Sequence, residues 1–321
     1  MIVGGTGHVA HRSSTGFGAR DSQEDTVHVG FIGLGAMGLP MATRLCDHGH
    51  TLVTTVHRDT TRASTLEARG AVVVATPAEV ARASDVIITI LPADKELRDV
   101  MVGEGGLLQG LRAGQVVIDM TTATPATLVE LEVRLRALGV DVLDAPVSGG
   151  TPAAANGTLT IMVGGAPETL ERCRSLLETM GSILHVGPLG QGKVVKLVNQ
   201  ALAAVHLLMV GEAFALGVRC GARPDTLYEV IKASSGASRM MDLRLPGFLL
   251  EGNTTAGFRL DLMKKDINLA VESARTLNVP VPLTAAASQL FAAASAAGHG
   301  NEDFSSAAAF VAGLSGVRLE D

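Results

Sequence analysis

Three polar side chains in one ten-residue stretch, Gly190-Gln-Gly-Lys-Val-Val-Lys-Leu-Val-Asn199, are spaced for chemistry. Lys193, Lys196 and Asn199 recur every third residue, so on a helix entered through the glycine turn they project from one face. From Gln200 to Val218 the chain is apolar apart from Gln200, His206 and Glu212, the pattern of a helix buried on most sides. At the polar mouth of such a helix, Lys196 has its ammonium form disfavoured by desolvation and by a neighbouring cation such as Lys193. Its pKa then moves toward the range useful for proton transfer. A snorkelling lysine at a helix start would account for the stretch equally well, so the elements around it must decide.

A second constellation lies near the start. Val27-His-Val-Gly-Phe-Ile32 reads as a buried strand, and it runs directly into Gly33-Leu34-Gly35-Ala36-Met37-Gly38, followed by a helical pattern from Leu39 to His48. Strand, G-x-G-x-x-G and helix in that order are what a dinucleotide pyrophosphate requires: one glycine for the tight turn, one for close backbone approach, one for packing helix on strand. The helix start adds amide donors and a partial positive charge. The next strand, Thr51 to Val56, ends at His57-Arg58-Asp59, about 20 residues past Gly38, where the adenosine ribose is read. Arg58 suits adenine and a 2'-phosphate, whereas Asp59 suits two free ribose hydroxyls. The expected cofactor is NADP or NAD, with a slight preference for NADP.

These residues need elements to position them. Strand and helix patterns alternate through Ala71–Val74, Pro77 onward, Asp85–Leu91, Asp94 onward, Gln115–Ile118, Thr124–Leu138, Val140–Leu143 and Thr158–Val163, with a last helix and strand reaching Val186. This predicts an α/β fold, a Rossmann-type doubly wound and largely parallel sheet, with ligands beyond the carboxyl ends of the strands. Leu91-Pro92, Thr121 and Ser148-Gly149-Gly150 all fall at such ends. After Gly190 only helices are expected: the long one, Pro224–Ala233, a stretch around Ser238 to Leu250, Leu260–Leu277 and Pro282–Ala297. The division expected is a flexible extension at 1–26, a dinucleotide-binding domain at 27–189 and an all-helical substrate and oligomerisation domain at 190–321. Lys265-Asp266 lies inside one of those helices and, by itself, reads as a surface pair.

Composition narrows the classes. With 321 residues, 47% hydrophobic and 18% charged, the chain can bury two sizeable cores, and a net charge of -6 without a basic stripe gives nucleic-acid binding little support. Cys46, Cys173 and Cys220 are odd in number and far apart, which fits neither a disulfide framework nor a metal site and suggests a cytoplasmic home. No apolar run approaches the ~20 residues of a membrane span. The segment 1–26 lacks the apolar core of a secretory signal.

Four motifs in order, Gly30-Phe-Ile-Gly-Leu-Gly-Ala-Met-Gly38, Asp144-Ala-Pro-Val-Ser-Gly-Gly150, Gly190 to Asn199 and Lys265-Asp266-Ile-Asn-Leu-Ala270, make the chain resemble the β-hydroxyacid dehydrogenases, the 3-hydroxyisobutyrate dehydrogenase family, over nearly all of residues 27 to 315. Arg44 departs from the family's asparagine, a change expected to affect packing more than chemistry. The resemblance implies hydride transfer between nicotinamide and the carbonyl carbon of a short 3-oxo acid. It makes Lys196 the general acid or base and Asn199 the residue that holds substrate or lysine. It gives Ser148, Gly149 and Gly150 the substrate carboxylate and hydroxyl, sets Thr121 at nicotinamide and substrate, and brings Lys265 in from the helical domain. It also implies a homodimer or homotetramer with the long helix between subunits. The pattern from Ser235 to Leu262 is more similar to the 2-hydroxy-3-oxopropionate (tartronate semialdehyde) reductases than to 3-hydroxyisobutyrate dehydrogenase, which with other semialdehyde reductases is the alternative. Of the different classes, an imine reductase would replace Lys196, and a non-catalytic dinucleotide-binding module would have lost it.

Overall fold

In the computed structural model, which describes residues 27–56 and 60–320, the apolar runs of the first half become strands joined by helices. In order these are β1 (His28–Ile32), α1 (Gly38–Asp47), β2 (Thr51–Thr55), α2 (Thr60–Glu67), β3 (Val72–Val74), α3 (Pro77–Arg82), β4 (Val86–Thr89), α4 (Asp94–Val102), β5 (Val116–Asp119), α5 (Pro125–Ala137), β6 (Asp141–Asp144), β7 (Val147–Ser148), α6 (Gly150–Asn156), β8 (Leu159–Gly165), α7 (Pro167–Glu178) and β9 (Gly181–Gly187). The second half is helical: α8 (Gln191–Arg219), α9 (Pro224–Lys232), α10 (Arg239–Arg244) continued by a π-helical turn over Leu245–Leu249, α11 (Leu260–Thr276), α12 (Pro282–Ala296) and α13 (Ser306–Gly313). Helix starts follow local chemistry. Proline stands in the first turn of α3, α5, α7, α9 and α12, where its missing N–H costs nothing, and Thr76 with Glu79 closes a capping box on α3.

The strands form one sheet in the order β3-β2-β1-β4-β5-β6-β8-β7, with β9 beside β8. From β3 to β6 all pairs are parallel, whereas β8 runs antiparallel to β6 and β7. The order reverses between β1 and β4, the switch point where a doubly wound sheet opens a crevice for ligand. Alternate side chains feed two cores: Phe31 and Ile88 meet Met41 and Leu45 of α1, while Ile32 and Ile87 meet Leu128 and Leu131 of α5. A third core, around Leu207, Phe214, Ile267 and Phe291, lies between α8, α11, α12 and α13.

Several details depart from the sequence reading. The short pair β7 and α6 replaces a simple glycine break, because two residues suffice to pair with β8 before the chain turns into a seven-residue helix. Helix α13 carries no amphipathic period to betray it: Ala307, Ala308 and Ala312 are all buried, and small side chains let it lie close to α8. Helix α8 is long and apolar enough, by length and composition, to cross a membrane, so the reading of short apolar runs was too strict. Here it is a core helix, with α11, α12 and α13 packed on it and its polar first turns held by the sheet. It is also less enclosed than its composition suggested, since Val198, Leu202, Met209 and Leu216 are exposed along it. Arg44 does serve packing, its Nε donating to the Thr179 carbonyl at 2.5 Å. The extension 1–26 and the ribose-reading Arg58 lie outside the described residues.

Candidate active site

A cleft of about 1400 Å³ runs from the glycine turn after β1 to the helical half, and it collects most of the chemistry. All of Gly33, Leu34, Gly35, Ala36, Met37 and Gly38 line it, as do Leu91 and Pro92 after β4. The turn fits a dinucleotide for steric reasons. A Cβ at Gly33, whose φ is +109°, would lie 2.1 Å from the Ile90 carbonyl oxygen, and one at Gly38 would lie 1.8 Å from that of Gly33. Gly35 instead meets nothing within 4 Å, so its backbone is open to an approaching pyrophosphate. Arg62 of α2 adds a guanidinium to this end, donating from Nη1 to the Leu34 carbonyl at 2.9 Å, a residue the sequence reading passed over.

The start of α8 is clamped to the sheet by two buried carboxylates. Asp144, the last residue of β6, accepts from the Gly190 and Lys193 amides, each at 2.7 Å. Burial is what raises its pKa, with those two N–H groups acting against the rise. A Cβ at Gly192 would lie 2.3 Å from the Met162 carbonyl oxygen, so only glycine lets the helix come this near β8. Asp119, at the end of β5, takes Lys193: its Oδ2 is 2.5 Å from Nζ, which also donates to the Thr121 carbonyl at 2.7 Å. The Asp119 Oδ1 accepts from Thr89 Oγ1 at 2.7 Å. Lys193 therefore faces into the sheet with no exposed surface, and it is not the cation beside Lys196 that the i,i+3 spacing suggested.

Lys196, one turn on, is also buried but has no carboxylate on its amine among the described residues. Its Nζ donates to Gln200 Oε1 at 2.9 Å, which also accepts from Asn199 Nδ2 at 3.1 Å. Gln200 Nε2 in turn donates to Asp266 Oδ2 at 2.7 Å, and Asp266 Oδ1 lies 2.8 Å from Lys265 Nζ. Burial brings the Lys196 amine down to about 8; nearby Asp266 opposes the shift and Lys265 adds to it. Lys265 spans both halves of the molecule, donating to the Thr122 carbonyl at 2.7 Å. Its pairing with the buried Asp266 is structural and inward, not the surface pair that the sequence alone implied.

The structure brings Lys196, Asn199, Ser148, Gly149, Gly150 and Lys265 to the same cleft. Thr121 is different. It is fully buried beneath the floor, its Oγ1 accepting from the Leu91 amide at 3.0 Å, and Thr122 lines the cleft in its place. The reason is the Asp119 carboxylate, which also accepts from the Thr121 amide at 3.2 Å and turns that residue inward. Sequence reasoning missed Gln200 and Asp266. Gln200 had a signal, since it lies four residues beyond Lys196 on the same helical face.

Comparison with known proteins agrees with this geometry. Residues 28–190 match the model of the NAD-binding domain of 6-phosphogluconate dehydrogenase, and residues 190–311 that described as NAD-binding of NADP-dependent 3-hydroxyisobutyrate dehydrogenase. The chain is 41% identical to 2-(hydroxymethyl)glutarate dehydrogenase of Eubacterium barkeri, over 88% of this chain and 94% of that one. It is 38% identical to L-threonate dehydrogenase of Cupriavidus necator, over 86% and 93%. Among solved structures, 3-hydroxyisobutyrate dehydrogenase of Mycobacterium tuberculosis with L-serine is similar at a TM-score of 0.82 and 32% identity, covering 88% of this chain and 98% of that one.

Proposed function

The chain belongs to the β-hydroxyacid dehydrogenase family and is an NAD(P)-dependent oxidoreductase, and from that premise we propose that it interconverts a short 3-hydroxy acid and its semialdehyde with Lys196 as the proton donor and acceptor. The observation that supports this most is the buried Lys196 amine, with a pKa near 8, opening on a cleft lined by the glycine turn on one side and by Ser148, Gly149 and Gly150 on the other. When bound, a reduced nicotinamide supplies the hydride for the substrate's carbonyl carbon. Lys196 gives a proton to the carbonyl oxygen in that direction and takes one from the hydroxyl in the other. Gln200 holds the amine in place, and Asn199 donates to the same Gln200 oxygen. The glycine-rich start of α6 presents backbone to the carboxylate, and Lys265 closes the cleft from the helical side.

Two readings of the substituent beside the carboxylate have support. Tartronate semialdehyde, in which it is a hydroxyl, is favoured by the sequence pattern from Ser235 to Leu262. A longer acid is favoured by the 41% identity to 2-(hydroxymethyl)glutarate dehydrogenase. NADP is the proposed cofactor, on Arg58 in the sequence and on the guanidinium of Arg62 at the glycine turn. The exposed apolar side chains of α8 support a homodimer or homotetramer, and a cytoplasmic enzyme is consistent with three unpaired cysteines. Steady-state oxidation of NADPH and NADH with tartronate semialdehyde, methylmalonate semialdehyde and succinic semialdehyde tests the reading. Turnover abolished by Lys196→Ala supports it; cofactor binding with no turnover of a 3-oxo acid overturns it.

A further inference from the structure

The helical wall of the cleft carries far more positive charge than a single small carboxylate needs. Five cations line it, Lys196, Arg239, Arg244, Arg259 and Lys265, against one carboxylate, Asp266. Four of the five are engaged. Lys196 and Lys265 belong to the network around Gln200 and Asp266. Arg244 lies 3.2 Å from Asp303 and stacks between the rings of Phe248 and Phe304, and Arg259 donates to Asn301 Oδ1 at 3.3 Å. Arg239 alone has no hydrogen bond or ion pair among the described residues.

Its side chain is exposed at the rim of the cleft, and the backbone that carries it is held by the fold. Arg239 is the first residue of α10, whose preceding Ser238 caps the helix by accepting from the Met241 amide at 3.2 Å. Met241 and Leu245 are buried on the inner side, so Arg239, Met240, Leu243 and Arg244 form the face toward the cleft. Leu262 and Met263 of α11 join that lining. A wall of apolar side chains with an unpaired guanidinium on it matches a short hydrocarbon stem ending in an anion.

We propose that Arg239 is a specificity residue that takes a second carboxylate at the far end of the substrate, so that the enzyme favours dicarboxylic 3-hydroxy acids over their monocarboxylic counterparts. This rests on the reading of the cleft as a 3-hydroxy acid site. The first carboxylate and the reacting carbon stay with Ser148, Gly149, Gly150 and Lys196, and the stem runs along Met240 and Leu243 to the guanidinium.

Three acids with the same hydroxymethyl head test it: 2-(hydroxymethyl)glutarate, 2-(hydroxymethyl)pentanoate, which replaces the far carboxylate by a methyl group, and 3-hydroxyisobutyrate. With NADP and NAD as oxidants, the wild-type kcat/KM for the glutarate is expected to exceed that for the pentanoate by on the order of tenfold or more, the effect of one charge-assisted hydrogen-bonded pair. Arg239→Gln removes that preference through KM, and Arg239→Lys restores part of it, as a point charge without the planar fork does. Cofactor dissociation constants, read by quenching of NADPH fluorescence, are measured on each variant. The proposal is overturned if the wild type does not distinguish glutarate from pentanoate, if Arg239→Gln lowers both equally, or if it weakens NADPH instead, which would assign the guanidinium to the cofactor. If the wild type binds NADPH and oxidises neither these three acids nor glycerate, the reduced form of tartronate semialdehyde, the 3-hydroxy acid reading itself falls, and Arg239's role with it.

Discussion

Lys193 and Lys196 stand one turn apart on the same helix, both buried, and their surroundings could hardly differ more. Lys193 points into the sheet, where the Asp119 carboxylate and the Thr121 carbonyl oxygen receive its amine. Lys196 points into the cleft, where an uncharged amide receives it and the nearest carboxylate, Asp266, acts from the far side of Gln200. Burial alone therefore does not make a lysine reactive. A lysine buried with its counter-ion is a structural tie, and one buried against a neutral acceptor has its proton affinity lowered to about 8, as the proposed proton donor and acceptor needs.

The largest expected effect tests the shuttle. Lys196→Ala should lower kcat by about 10²–10⁴-fold in both directions, equal to roughly 3–5 kcal/mol of transition-state stabilisation. The variant should still quench NADPH fluorescence with the wild-type dissociation constant, because the glycine turn is untouched. Retention of more than a tenth of the activity would remove Lys196 from the chemistry. Lys193→Met tests the tie. Leaving Asp119 buried without its partner should cost about 3–5 kcal/mol in urea unfolding, and adding Asp119→Asn should return part of it. A loss below 1 kcal/mol would mean that the pair does not hold α8 to the sheet.

Stability should move in the opposite sense at Lys196. Its amine titrates near 8 in the fold against 10.5 in the unfolded chain. Because the folded value is the lower one, the charged amine favours unfolding, fully below pH 8, less as pH rises toward 10.5, and not at all above it. Lys196→Met keeps the volume and removes that cost. It should stabilise the protein by on the order of 1–3 kcal/mol at pH 7, most of which is gone by pH 10. Destabilisation at both pH values would show that the amine is as well paired as that of Lys193.

The sequence revealed one of these lysines better than the other, and the reason is separation along the chain. The strand, glycine turn and helix that form the dinucleotide end are contiguous, so β1, α1 and the cleft-lining Gly33 to Gly38 could be read directly. Lys196 could be singled out because helix, apolar run and polar face all lie in one stretch. The role of Lys193 could not, since its counter-ion is 74 residues away on β5. The same distance effect hid the inward turn of Thr121, the antiparallel pairing of β8 and the approach of α10 to the cleft. No local period announces them; they exist only once the sheet has closed.

The smallest effect is the most diagnostic, because it bears on what sets the Lys196 amine rather than on whether it acts. Asp266 reaches Lys196 through Gln200 and, among the described residues, is the only anion whose charge holds that amine's proton on, while Lys265 pushes it off. Asp266→Asn removes the first influence and leaves Lys265 without its 2.8 Å partner, so both consequences lower the affinity of Lys196 for a proton. Oxidation of the hydroxy acid needs the neutral amine, and its kcat/KM should rise with pH through about 8 in the wild type. In Asp266→Asn that rise should move to lower pH by about one unit, roughly 1.4 kcal/mol, and the falling limb of the reduction should move with it. Lys265→Met should shift both limbs the other way. Limbs that stay in place in both variants would mean that burial alone tunes Lys196, and the contrast with Lys193 would then lie in depth rather than in the choice of partner.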